Sequence, residues 1–182
     1  MKNKTCVKVG TDGKTDTAPG ASESATTEAV KRSRVPLYRV MLDRTGSIVK
    51  EGTAVVTQAR EAARLFREFI GDAPEEHFAL MVLDSRRRVI GISEVSVGTL
   101  SASLVHPREV FRAAILLNGA AVIVSHNHPS GDPSPSSEDR EATRRLQRAG
   151  ELLGIPVADH VVIGEGQGES LHFFSFRESG LM

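Results

Sequence analysis

The sequence predicts an α/β or α+β domain in which a central mixed β-sheet is flanked by three helices. Three stretches, about residues 57–70, 107–118 and 135–153, carry apolar side chains at helical spacing. Short apolar runs of strand length lie between and around them. Strands interleaved with helices in this way must share one layered core, and 182 residues, 40% of them hydrophobic, suffice to bury it.

Residues 1–34 are rich in Lys, Thr, Ser, Gly and Ala and poor in large apolar side chains, so they read as a disordered N-terminal tail. Folded structure is expected over residues 35–182. A first strand is expected after Pro36, on Leu37, Tyr38, Val40 and Leu42. The first helix sets Ala59, Ala62, Ala63, Phe66, Phe69 and Ile70 opposite Arg60, Arg64, Arg67 and Glu68, with Gly71 as its stop. Residues 78–83 and 89–95 read as two strands joined by a polar hairpin at 84–88, whereas 97–104 fits no single pattern. His106 and Pro107 open the second helix, Val110, Phe111, Ala114, Ile115 and Leu117 lie on or beside its buried face, and Gly119 is expected to end it. Residues 120–124 read as a buried strand. The third helix is expected from Pro135, with Ser134 as its N-cap, and Arg140, Arg144 and Arg148 along a solvated face. Gly154 and Pro156 close it, and strands at 157–163 and 171–176 complete the chain.

Lys+Arg and Asp+Glu both number 23, so bulk charge gives no electrostatic argument for a nucleic-acid partner. Within the tail, Lys2, Lys4, Lys8, Lys14, Lys31, Arg32 and Arg34 outnumber Asp12, Asp16, Glu23 and Glu28; a solvated linker is the plain reading. The single cysteine, Cys6, excludes an intramolecular disulfide and any Cys-rich metal knuckle. With no apolar stretch long enough for a signal peptide or a membrane span, a cytoplasmic setting is expected.

One stretch concentrates the chemistry: His126-Asn127-His128-Pro129-Ser130-Gly131-Asp132-Pro133-Ser134-Pro135-Ser136-Ser137-Glu138-Asp139. If the strand at 120–124 leads into it, His126 and His128 are two residues apart and share a face, while Asn127 points the other way. The prolines and Gly131 turn the chain back, and the helix start can then return Asp139 toward both imidazoles. Two imidazoles and one carboxylate suit zinc and leave a fourth tetrahedral position for water, as in a catalytic site. Asp132, between Gly131 and Pro133, reads as a turn residue; His106 reads as a cap; His77 and His172 have no motif partner.

The spacing of His126, His128, Ser136 and Asp139 resembles the JAMM (MPN-domain) metalloprotease signature H-x-H-x7-S-x2-D at each defined position. The wording HNHPSGDPSPSSED, preceded by HPREVFRAAILLNGAAVIV and followed by ADHVVIG, is similar to the bacterial RadC family, historically called DNA repair proteins, over about residues 37–182. That resemblance implies the JAMM/MPN fold, which is cytidine deaminase-like, and one zinc ion per chain held by His126, His128 and Asp139. It also implies a catalytic glutamate at the start of the strand after the first helix. Glu76 holds that position, with Glu75 the adjacent register and Glu94 a competitor near another strand end. Ser136 matches the serine that supports the oxyanion in JAMM enzymes; its plainer reading is a helix-start serine bonded to backbone N–H groups, and the two roles can coexist. His160 resembles a recurrent family position and reads as a structural histidine, with a contact to a metal ligand as the alternative. Full-length family members usually carry an N-terminal helix-hairpin-helix segment, which the composition of the tail here is not expected to supply.

The function so implied is a zinc-dependent hydrolase of peptide or isopeptide bonds, acting on a protein or peptide substrate. The alternative, carried by the family's name, is an accessory protein of DNA repair or mobile elements that binds DNA or a protein partner without turnover. That alternative predicts a basic surface built from Arg140, Arg144, Arg148 and Arg86, Arg87 and Arg88, with binding that weakens steeply as salt rises.

Overall fold

The computed structural model describes residues 44–47, 54–98 and 105–182. The chain divides into units Met1–Thr45 and Gly46–Met182, and the elements below belong to the second. The expected tail, the strand at 37–42 and most of the stretch at 97–104 lie outside the described residues. In order, the elements are α1 (Ala59–Ile70), β1 (His77–Leu83), β2 (Val89–Val97), α2 (Pro107–Leu116), β3 (Ala121–Asn127), α3 (Ser137–Leu153), β4 (Val157–Ile163), a single 3-10 turn at Gly168–Ser170, and β5 (Phe173–Ser175).

Local chemistry sets each helix boundary. At the start of α1, the Glu61 carboxylate accepts from the backbone N–H groups of Thr57 at 2.6 Å and Gln58 at 3.1 Å, and Gly71 ends the helix at φ 69°. His106 caps α2 by accepting from Arg108 N–H at 3.2 Å, as expected. The end of α2 comes earlier than Gly119, because Asn118 adopts the left-handed conformation at φ 54°. Asn118 N–H then bonds the Ile115 carbonyl and Gly119 N–H the Ala114 carbonyl, the paired bonds of a Schellman ending. Gly119 is needed for closeness instead: a Cβ there would lie 2.3 Å from Val82 Cγ1.

The strands form one sheet in the order β2-β1-β3-β4-β5. β1 is antiparallel to both β2 and β3, β3 is parallel to β4, and β4 is antiparallel to β5, so the sheet is mixed as expected. β3 runs on through His126 and Asn127, three residues past its expected end, because the alternation continues into the polar residues. β5 is shorter than expected, pairing only Phe173–Ser175 with β4.

Alternation along the strands sorts the core into two layers. Phe78, Leu80, Val82, Val122 and Val124 pack with Val110, Phe111 and Ala114 of α2 and Leu146 of α3. Ala79, Met81, Leu83, Ile123, Val161 and Ile163 pack with Ala62, Ala63 and Phe66 of α1. His126 follows Val124 on the side of α2 and α3, where its ring stacks at 6.2 Å on Phe78. No helix among the described residues is long and apolar enough to cross a membrane.

Beyond β3 the polar loop turns against the end of β4. His128 N–H bonds the Ile163 carbonyl at 2.9 Å, Glu165 N–H bonds the Gly131 carbonyl at 3.0 Å, and Gly131 itself sits at φ 83°. A Cβ on Gly164 would fall 2.4 Å from the Gly131 oxygen and 2.9 Å from Pro133 Cδ. Gly164→Ala is therefore expected to destabilise the domain by about 1–3 kcal/mol, the usual cost of forced overpacking. A thermal midpoint equal to that of the wild type would show that the loop does not need this approach.

Candidate metal centre

The end of β3 delivers two imidazoles to one spot. His126 is fully buried within the strand, while His128 stands just past it, and their Nε2 atoms are 3.0 Å apart. The His128 Nδ1 atom lies 2.7 Å from the Asp132 carbonyl. A carbonyl oxygen only accepts, so Nδ1 carries the proton and Nε2 of a neutral His128 offers a lone pair inward. The Asp132 carboxylate accepts from Ser134 N–H at 2.9 Å, the turn role expected of it.

α3 supplies a carboxylate to the same spot, through a cap different from the one the sequence suggested. Ser136, not Ser134, is the N-cap, so the helix begins at Ser137 and Pro135 lies outside it. The hydroxyl of Ser136 accepts from Asp139 N–H at 3.1 Å, and Asp139 Oδ2 accepts from both the N–H and the hydroxyl of Ser136, each at 2.7 Å. This reciprocal pair outcompetes Ser134, whose N–H is already held in the Asp132 turn. Asp139 is thereby aimed inward: Oδ1 lies 3.2 Å from His126 Nε2 and Oδ2 3.6 Å from His128 Nε2. Burial alone would raise the Asp139 pKa, but the His126 and His128 imidazoles beside it, which favour the carboxylate whenever they carry a proton toward it, override burial and hold the group far below the usual carboxylate range. The hydrogen bond to Asp139, opposed by burial and aided by the Asp132 carbonyl, raises His128.

Glu76, immediately before β1, reaches the same spot, with Oε1 4.0 Å from His126 Nε2. Glu76, His126 and His128 each offer one ligand atom within 4.8 Å of the others, close enough to hold one metal ion. Asp139, outside that trio, adds its carboxylate to the two imidazoles. Imidazole nitrogen with carboxylate oxygen is a donor set that suits a borderline metal. A cleft of 410 Å³ is lined by Glu76, His128, Pro129, Ser130, Ser136, Glu138 and Asp139. A second hollow of 510 Å³, beside Arg60, Leu171 and Phe173, is larger but gathers no such ligand set among the described residues. Of the competing glutamates, Glu94 is taken up by His77 Nδ1 at 2.8 Å, and Glu75 contributes its backbone carbonyl to a different bond described below.

The pattern of the RadC-like JAB domain family matches residues 56–181 of this chain. The chain belongs to that family. Curated proteins similar to this RadC-like JAB domain include a UPF0758 protein of Desulfitobacterium hafniense, 46% identical over 128 residues, which are 70% of this chain and 54% of that protein. A UPF0758 protein of Caldanaerobacter subterraneus is 48% identical over 64% of this chain and 50% of its own length, and one of Symbiobacterium thermophilum is 55% identical over 59% and 44%. The chain thus spans about half the length of the curated relatives it matches.

Two features of this RadC-like JAB domain were not legible in the motif. Asn127, facing away from the two histidines, accepts from His77 N–H at 2.7 Å and donates to the Glu75 carbonyl at 2.9 Å. It thus grips the backbone on both sides of Glu76, while Gly98 N–H bonds the Glu76 carbonyl at 2.9 Å. One residue of β3 fixes the approach of Glu76 to its own two neighbours in sequence. The second feature is His160, whose Nε2 lies 2.8 Å from His126 Nδ1, so that this buried histidine touches one of the two imidazoles of the motif. Burial, with the adjacent His126 imidazole, pushes the His160 pKa well below its ordinary value.

Asn127→Ala leaves the His77 N–H and Glu75 carbonyl without their partner, at an expected cost of about 1–3 kcal/mol in urea unfolding. Amide exchange at Glu76 and His77 is expected to speed up more than in α2. Unchanged exchange there would mean that Asn127 does not hold the glutamate segment.

Proposed function

We propose that this domain is a zinc-dependent metallohydrolase that cleaves peptide or isopeptide bonds, with one zinc ion per chain on His126, His128 and Asp139. The observation that carries the reading is the convergence of Glu76, His126 and His128, with the Asp139 carboxylate on both imidazoles, beside a cleft that Glu76, His128 and Asp139 line. Three protein ligands and an open side are the arrangement of catalytic zinc. When bound, zinc supplies Lewis acidity, polarising a carbonyl oxygen and acidifying a water molecule.

Glu76 then works as the acid/base. Its carboxylate lines the cleft, 4.0 Å from His126 Nε2, where it would take a proton from the attacking water and deliver one to the departing amine. Ser136 lines the same cleft, and its hydroxyl, when turned from Asp139, donates to the oxyanion that develops on the substrate. The substrate so proposed is a protein or peptide, brought to the open cleft that these residues line.

Purified wild-type protein is expected to carry one zinc per chain by elemental analysis, and His126→Ala or Asp139→Ala to carry almost none. Glu76→Gln is expected to keep the zinc while cleavage of a responsive substrate, found by screening peptide and isopeptide libraries, falls on the order of 10²–10⁴-fold. Loss of zinc in Glu76→Gln would instead make Glu76 a ligand, and a wild type without stoichiometric metal would end the hydrolase reading.

Protons compete with the metal for Nε2 of His128, and the raised pKa of that imidazole makes it hold its proton to higher pH. Zinc affinity is therefore expected to be full at alkaline pH and to fall on acidification, the decline beginning above the pH at which an unperturbed histidine protonates, ~6.5. Equilibrium titration with a chromophoric chelator across pH measures this; an affinity indifferent to pH down to the acidic range would contradict it.

A further inference from the structure

Behind the cleft, in the apolar interior, lies a chain of three hydrogen bonds. His126 Nδ1 is 2.8 Å from His160 Nε2, His160 Nδ1 is 2.6 Å from Thr143 Oγ1, and Thr143 Oγ1 is 2.6 Å from the Asp139 carbonyl oxygen. The direction of every proton follows from the last link. The Asp139 carbonyl only accepts, so the one hydroxyl proton of Thr143 is spent on it. Thr143 must then accept from His160, which places a proton on His160 Nδ1.

His160 is fully buried, stacked on Phe176 at 4.9 Å and edge-on to Phe78 at 5.7 Å. An imidazolium in such a place is strongly disfavoured, so the ring is neutral and carries one proton only. With that proton on Nδ1, Nε2 is an acceptor, and His126 must donate from its own Nδ1. The remaining nitrogen of His126, Nε2, is left with its lone pair facing His128, Asp139 and Glu76.

We propose that Thr143 and His160 are positioning residues that lock His126 in the Nδ1–H tautomer, the only neutral form whose Nε2 can bind a metal. The chain closes on itself. Its far end is the backbone carbonyl of Asp139, and the carboxylate of that same residue touches His126 Nε2 at 3.2 Å. The tautomer of a histidine on β3 is thereby tied to the seating of the first turns of α3. Thr143 lies one turn after Asp139 and returns its hydroxyl to that turn, the usual habit of a threonine inside a helix. What is particular here is that the same hydroxyl also takes the proton of a buried histidine.

The value of this lock rests on the metal-site reading above, but the tautomer does not need metal in order to be measured. The test uses the full chain, labelled with ¹⁵N-histidine and freed of metal, at alkaline pH, with long-range ¹H–¹⁵N correlation spectra that distinguish Nδ1–H from Nε2–H rings. Wild-type His126 is expected to be Nδ1–H. In Thr143→Val the His160 ring loses its acceptor at Nδ1 and is expected to move its proton to Nε2, forcing His126 to the opposite tautomer. Zinc affinity, measured by competition with a chromophoric chelator, is expected to drop roughly 10–100-fold. Thr143→Ser keeps the hydroxyl and is expected to restore both the spectrum and the affinity, which a purely space-filling role of Thr143 would not produce.

An Nε2–H signal for His126 in the wild type overturns the proposal, and so does a folded Thr143→Val that keeps the wild-type tautomer and zinc affinity. Should Thr143→Val fail to fold, the wild-type spectrum decides alone. A wild type that shows the Nδ1–H ring but binds no zinc upholds the lock and removes the metal reading instead.

Discussion

The backbone ladder that seats β3 between β1 and β4 is the constraint on which the rest depends. His126 is not a loop residue reaching toward a site; it is paired across the sheet with Phe78 on one side and Val162 on the other. A side chain on a central strand has almost no freedom to relocate, because moving it would break ladder bonds on both edges. Everything that meets His126 must therefore come to it, and three separate devices bring the partners in. A tight loop anchored on β4 folds His128 back, the Ser136 capping box swings Asp139 in from α3, and the Asn127 amide holds the segment that carries Glu76.

The second consequence is electrostatic. Two imidazole nitrogens meet the Asp139 carboxylate beside Glu76, an arrangement that needs positive charge, a proton or a metal ion, between them. The positions behind the site are chosen consistently with that need. Asp132 and, through Thr143, the Asp139 backbone are carbonyl acceptors at the outer ends of the hydrogen-bond chains, so protons are drawn outward and lone pairs are left inside. Asp159 does comparable work one residue from His160. Its carboxylate takes bonds from Ser175 at 2.7 Å, from His160 N–H at 2.7 Å and from Arg177 N–H at 3.1 Å, tying the chain after β5 to the strand that presents His160.

Much of this was readable before the fold was known, for identifiable reasons. Helix periodicity in α1 and α3, the Gly71 and Gly154 stops, the His106 cap and the Asp132 turn are all decided by neighbours within four residues. The readings that moved were also local, but each involved a choice between two competent residues. Ser134 and Ser136 are both cap formers, and only the Asp139 carboxylate three residues after Ser136 selects the latter. Asn118 and Gly119 can both take the left-handed turn, and the nearness of Val82 reserves Gly119 for packing.

Sequence alone determined the mixed layered architecture, the family, and the pairing of His126 with His128, since alternation along a strand puts residues two apart on one face whatever lies around them. Only the tertiary structure decided that Asn127 grips the chain beside Glu76, 50 residues away, and that His160 backs His126 across 34. Those contacts are set by strand order and register, by β1 running antiparallel and β4 parallel to β3. No periodicity within a strand encodes which other strand will lie beside it; burial of the shared core fixes that choice.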